Sequence, residues 1–228
     1  MLIQKKKPGF QTILLSLCGF VLLWAVVTDA WGYSSHLAFG HGDYIYAYLS
    51  RLIWVAPALW LILRHGSFLR LGRETLFSWP VFNRSFAIVL AVSVLFPLIE
   101  MFVVHGGFWL NPSVNLPLEI VKFILVGFVE ETVFRGWGYN ALSSLGETAA
   151  DRKAVICSTA FFILLHWPAY FIRLCRLGTM DYQAWLGQCL AAAIWGVIGC
   201  LLLKKGKTLW NPIIAHTVYD ILIILFVG

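Results

Sequence analysis

The chain has 228 residues, of which 60% are hydrophobic and only 12% charged, with a formal net charge of +6. Soluble domains carry about 25% charged residues, so this composition excludes an ordinary soluble enzyme or binding module. The apolar residues fall in blocks near the ~20 residues that cross a bilayer as a helix, which indicates an all-α, polytopic transmembrane bundle, read as one integral-membrane domain over 1–228.

Seven spans are predicted, at roughly 10–31, 44–63, 85–104, 117–138, 153–172, 183–203 and 208–227. The first follows "QKKK". Its apolar part is longer than the apolar core of a signal peptide and no small-x-small cleavage site follows it, so it is expected to be retained. The connector "RHGSFLRLGRETLFSWPVFNR" mixes apolar residues with arginines and is expected to lie along the membrane surface. The other connectors are short, and no repeat or low-complexity segment is visible.

With the N-terminus cytoplasmic, the inner segments and inner span ends hold Lys5, Lys6, Lys7, Arg64, Arg70, Arg73, Arg84, Arg135, Arg152, Lys153, Lys204, Lys205 and Lys207. The outer loops hold only Arg173 and Arg176. Thirteen against two is a strong positive-inside bias. It accounts for the net charge as topology and leaves nucleic-acid binding without support. The Asn83-Arg84-Ser85 sequon falls on the cytoplasmic side and reads as chance. Trp31, Trp79, Trp109, Trp185 and Trp210 fall near predicted interfaces, where indole rings prefer to sit. The five cysteines form no CxxC pair and read as small buried hydrophobes.

An ionisable side chain inside a span is costly and marks a functional site by default. Arg51, Glu100, Glu119, Lys122, Glu130, Glu131, His166, His216 and Asp220 all qualify. Glu119 and Lys122 stand three apart and can pair. Arg51 and Glu100 lie near span ends and read as structural. The rest form a pattern. Glu131 and Arg135 are i,i+4 neighbours, and a buried arginine needs an anion. Glu130 points about 100° away and is left as an unshared carboxylate in an apolar setting, which suits a general base. On the next helix Phe162 and His166 are i,i+4, with Pro168 placed to open the backbone. On the last, His216 and Asp220 are again i,i+4, after Pro212 in the first turn. At ~1.5 Å rise per residue, Glu130 and His216 lie roughly 12 Å from the inner ends of their spans, Asp220 roughly 18 Å and His166 roughly 20 Å. All four are thus able to surround one site in or near the cytoplasmic half.

Glu130-Glu131-x-x-x-Arg135, Phe162-x-x-x-His166 and His216-x-x-x-Asp220, with "VFRG" and "NPIIAH" beside them, resemble the CAAX-protease and bacteriocin-processing family of intramembrane endopeptidases, also called the Abi family. The resemblance covers about residues 117–223 and none of the first three spans. It implies hydrolysis of a peptide bond in or near the membrane, at a site open to the cytoplasm. Glu130 and His166 would activate a water, His216 and the residue four after it would stabilise the oxyanion, and Glu131 with Arg135 would hold the architecture. The last motif position departs from the expected Asn. An ionised Asp220 repels an oxyanion, so Asp220 either carries a proton and donates a hydrogen bond, or orients His216, or binds a metal.

Two histidines and several carboxylates are plausible zinc ligands, with His166, His216 and Asp220 as candidates. The chain has no HExxH, and Glu131 is committed to Arg135, so a metal-free site is favoured. The implied partners are the lipid bilayer and a membrane-associated peptide or protein substrate. Small size and simple loops point to a multi-pass protein of the bacterial inner (plasma) membrane. A non-catalytic immunity or scaffold protein on the same fold is the alternative. A proton-coupled transporter should show inverted repeats or broken-helix pairs, and neither is visible.

Overall fold

The structure, a computed structural model, describes residues 7–27, 43–146 and 148–226. Lys5, Lys6, Trp31 and residues 28–31 of the first predicted span lie outside the described residues, as does residue 227 of the last. The described residues form helices and connecting turns, with no strand. We label the main helices α1 (Phe10–Val26), α2 (Asp43–His65), α3 (Arg84–His105), α4 (Leu116–Glu131), α5 (Thr148–Leu165), α6 (Trp167–Leu177), α7 (Tyr182–Gly206) and α8 (Trp210–Phe226).

Four described stretches, Ile45–Phe68, Arg84–His105, Asp151–Cys175 and Tyr182–Gly206, are long and apolar enough to cross a membrane, and α1 and α8 are shorter apolar helices. The remaining predicted span, 117–138, is α4 continued by a π-helical segment, Thr132–Tyr139. Helix α3 buries only 17% of its most apolar stretch. Its outer face shows Ile88, Val92, Leu95, Ile99 and Val103 to the surroundings. A soluble monomer does not carry so extended an apolar surface, and hydrocarbon satisfies it. The chain is a polytopic helical membrane protein.

Local chemistry sets the helix ends. The Asn83 side chain accepts from the Phe86 N–H at 3.0 Å to start α3, and Gly106 at φ 68° ends it. Pro117 enters α4 in its first turn. Asp181 accepts from Ala184 N–H at 3.0 Å to start α7.

The core is centred on α4 and the π segment, where Val129, Val133, Phe134 and Trp137 are fully buried. Around them pack α1, α2, α5, α7 and α8. Helices α4 and α8 approach closely because residue 127 has no Cβ, which would lie 2.3 Å from Thr217 Oγ1.

The 64–84 connector folds back onto the bundle instead of lying along the surface as a free amphipathic segment. Leu69 and Leu76 enter the core. Two asparagines clamp the connector. Asn140 accepts from Leu71 N–H at 2.8 Å and donates to Leu71 C=O at 2.9 Å. Asn211 treats Val81 the same way, at 3.0 and 2.8 Å. These bonds satisfy backbone groups that have no helix to pair with, and the second fixes the N-terminal end of α8. All five cysteines are free. Cys200 is buried as expected, but Cys18 and Cys175 are exposed on the outside of the protein, where a cysteine meets lipid as comfortably as core.

Candidate active site

Four elements bring the motif residues together. Glu130 and Glu131 close α4, Arg135 lies in the π segment, His166 sits at the break between α5 and α6, and His216 and Asp220 lie one turn apart on α8. The break follows from Pro168, which cannot continue the hydrogen-bond ladder of α5. The π segment is buried along its length, and Ser158 Oγ donates to Phe134 C=O at 2.7 Å. Departures of this kind from α geometry concentrate at functional sites.

Glu131 and Arg135 are both fully buried, with Glu131 Oε2 3.3 Å from Arg135 Nε. Arg135 Nη2 donates to Trp195 C=O at 2.9 Å, and its Cζ lies 4.1 Å above the Phe162 ring. The sequence-predicted pair is therefore present, and the guanidinium is also held by a carbonyl and an aromatic face. Residue 199 has no Cβ, which would stand 2.7 Å from Arg135 Nε and 3.0 Å from Glu131 Oε2. Glycine there gives the ion pair its room.

The pair extends further than the sequence indicated. The other Glu131 oxygen, Oε1, lies 3.0 Å from His216 Nδ1. A carboxylate only accepts, so Nδ1–H is the donor. The His216 ring stacks on Trp195, with centroids 5.6 Å apart and planes at 12°. Its second nitrogen, Nε2, faces Asp220 Oδ2 at 3.5 Å and Glu130 Oε2 at 3.9 Å. Three acceptors without a proton would repel one another, so at least one proton resides among Nε2, Glu130 and Asp220.

The side chains of Glu130 and Asp220 keep 14% and 18% exposure, against 1% for Glu131. The Nε2 side of His216 is partly exposed and its Glu131 side is sealed. Glu131 thus already occupies the orienting position on Nδ1, and Asp220 stands on the same side of the ring as Glu130.

His166 Nδ1 donates to Phe162 C=O at 2.9 Å, which leaves Nε2 with the free lone pair. Among the described residues no hydrogen bond or ion pair joins His166 to Glu130, His216 or Asp220. His166 reaches the group across Phe162, whose ring centroid is 5.1 Å from that of His166 and 6.0 Å from that of His216. The Phe of Phe162-x-x-x-His166 is thereby explained. It is the apolar hub on which both imidazoles and Arg135 rest.

Zinc binds four N, O or S ligands at about 2.0–2.3 Å. Here His216 Nδ1 and Glu131 are spent on each other and on Arg135. Among the described residues no three His, Cys, Asp or Glu side chains come together as a ligand group.

Sequence reasoning missed two residues. Trp195 carried a usable signal, since it lies well inside a predicted span and away from the interfaces where tryptophans gather. Gly199 carried none beyond being a glycine in a span. Arg51, read as structural, donates from Nη1 to Ala47 C=O at 2.8 Å and lies over Trp24. Glu119 and Lys122 pair as expected, at 2.7 Å.

Residues 112–222 match the family model described as type II CAAX prenyl endopeptidase Rce1-like. No curated protein and no solved structure matches the chain. Over residues 112–222 the chain is thus similar to the Rce1-like CAAX-endopeptidase family, in agreement with the family its motifs resemble.

Proposed function

We propose that the protein is an intramembrane endopeptidase that hydrolyses a peptide bond of a membrane-associated peptide with a Glu/His-activated water, at a site open to the cytoplasm. The observation that carries this reading is the two-sided grip on His216. Glu131 holds Nδ1 in a sealed environment, while Glu130 and Asp220 face Nε2 on the accessible side.

In this mechanism the water is polarised by two acceptors, the Glu130 carboxylate and His166 Nε2. Glu130 takes one proton as the water oxygen bonds to the scissile carbonyl carbon. The carbonyl π electrons move to oxygen, and that oxyanion accepts a hydrogen bond from the proton shared by His216 Nε2 and Asp220. Collapse of the intermediate breaks the C–N bond, and the proton on Glu130 passes to the leaving nitrogen. Water is consumed and one acid and one amine are formed. No step is routed through a metal. The family's name refers to prenylated substrates, and a lipid-modified peptide is the substrate class proposed here.

The test uses the full chain in proteoliposomes with a library of lipidated, fluorogenic peptides. We expect Glu130→Gln to abolish turnover, a fall of at least ~10²–10⁴-fold, while its melting temperature stays within a few degrees of wild type. Near-normal turnover in Glu130→Gln would remove Glu130 as the base. A folded wild type that cleaves no member of the library, but still binds a membrane partner, would favour the scaffold alternative.

A further inference from the structure

A second polar cluster lies away from the proposed peptidase chemistry. At the end of the bundle where the basic residues gather, a cavity of about 740 Å³ opens between the turn after α2, the turn after the π segment, the first turn of α5 and the last turn of α7. That volume falls within the range of about 300–1,000 Å³ typical of ligand pockets. Ser143 on its wall is 13 residues beyond Glu130 along a helical path, roughly 20 Å.

Asp151 organises the cavity. The residue is buried, and its carboxylate is divided between two cations. One oxygen meets Arg70, and the other meets Lys204 Nζ at 2.8 Å. Two cations sharing one carboxylate leave one positive charge unbalanced. Lys7 brings a second to the rim, where its Nζ donates to Ser144 C=O at 2.7 Å. Arg70 and Lys204 keep 44% and 46% side-chain exposure, so each presents further N–H donors to the opening. Asp151 therefore acts as a spacer that holds a guanidinium and an ammonium at fixed separation, and an incoming anion completes the set. Half-buried Phe68 adds an apolar surface to the lining.

We infer that this cavity binds the phosphate group of an anionic lipid headgroup, with Arg70 and Lys204 as its ligands and Phe68 against the adjoining hydrocarbon. A phosphate accepts from the Arg70 fork and from the Lys204 point charge together. The lipid is favoured over free phosphate because the cavity sits at the ends of membrane-crossing helices, where basic pockets between helices take phosphorylated headgroups, and because Phe68 lines it. The inference does not depend on the peptidase reading.

The test uses the full chain in nanodiscs of phosphatidylcholine, with and without phosphatidylglycerol, and counts retained lipid by native mass spectrometry. Wild type should retain phosphatidylglycerol selectively. Loss of two cations, each contributing to headgroup attraction, should weaken retention roughly 10- to 30-fold in Arg70→Gln/Lys204→Gln. That variant strands Asp151, so Arg70→Gln/Asp151→Asn/Lys204→Gln, which neutralises the whole triad, provides a second test of the same loss. Lys205→Gln/Lys207→Gln removes equal charge outside the cavity and should retain the lipid. Selective retention by the triad variant, or equal loss in the Lys205/Lys207 variant, would overturn the site. Inorganic phosphate is the second arm. If it stabilises wild type in phosphatidylcholine as much as phosphatidylglycerol does, and no lipid is retained, the cavity is a free-phosphate site and the lipid assignment fails.

Discussion

Replacing Glu131 by Gln should unfold the protein far more readily than replacing Glu130. Gln keeps the volume of Glu131 and an acceptor for His216 Nδ1–H, so the substitution removes mainly the charge that faces Arg135. That charge is 3.3 Å from Arg135 Nε, between two side chains with 0% and 1% exposure. At an effective dielectric of about 20 the attraction at this separation is about 5 kcal/mol, and removal of one partner of a buried pair costs about 3–5 kcal/mol. For a chain of this size each kcal/mol lowers the melting temperature by about 2–4 °C, so a drop of roughly 6–20 °C is expected. Thermal unfolding in detergent, followed by intrinsic fluorescence of the chain's tryptophans, measures it. Arg135→Met in the same chain removes the stranded cation, and Glu131→Gln/Arg135→Met should regain at least half of the loss, because well-packed apolar replacements of buried ion pairs are often neutral. The reasoning fails if Glu131→Gln melts within about 2 °C of wild type, or if the second substitution recovers nothing.

Three further outcomes are expected. Asp220→Asn should retain activity within several-fold of wild type, because an amide donates to the oxyanion without needing a proton; activity lost in Asp220→Asn and restored by added zinc, with chelator inhibition of wild type, would identify a metal site instead. Gly199→Ala places a methyl 2.7 Å from Arg135 Nε, and should cost about 1–3 kcal/mol in thermal unfolding as overpacking against a rigid pair. A reporter fused after Gly228 should read as outside the cytoplasm, as the thirteen-to-two charge distribution requires; a cytoplasmic signal would remove the seven-span topology.

Much of the helical pattern was legible because it rests on composition and on rules local to each helix. The apolar blocks found the spans, and i,i+4 spacing found the Glu131–Arg135 and Glu119–Lys122 pairs. The contacts that complete the site are between helices, and no spacing rule reaches across them. Glu131 to His216 joins residues 85 apart in the chain, and Arg135 to the Trp195 carbonyl joins residues 60 apart. The π segment was hidden for a different reason. What sets it apart is where its backbone bonds go, and the side chains of Thr132–Tyr139 do not report that.

The adjacency of Glu130 and Glu131 has a geometric reason that reaches beyond the helix carrying them. Consecutive residues on a helix diverge by about 100°, and the two nitrogens of an imidazole lie on different edges of its ring. One ring placed against the end of α4 therefore meets one glutamate at Nδ1 and the other at Nε2, and His216 does so at 3.0 and 3.9 Å. The peptide bond between the glutamates fixes the distance between the orienting carboxylate and the proposed base. What remains adjustable is the register of α8, since a shift of one residue would carry His216 about 100° away from both. The register is held at its N-terminal end by Asn211 on the Val81 backbone, and along its length by the missing Cβ of Gly127, which admits Thr217 beside His216. The "NP" before the histidine and the glycine three residues before the first glutamate thus belong to the site, although neither touches a reacting atom.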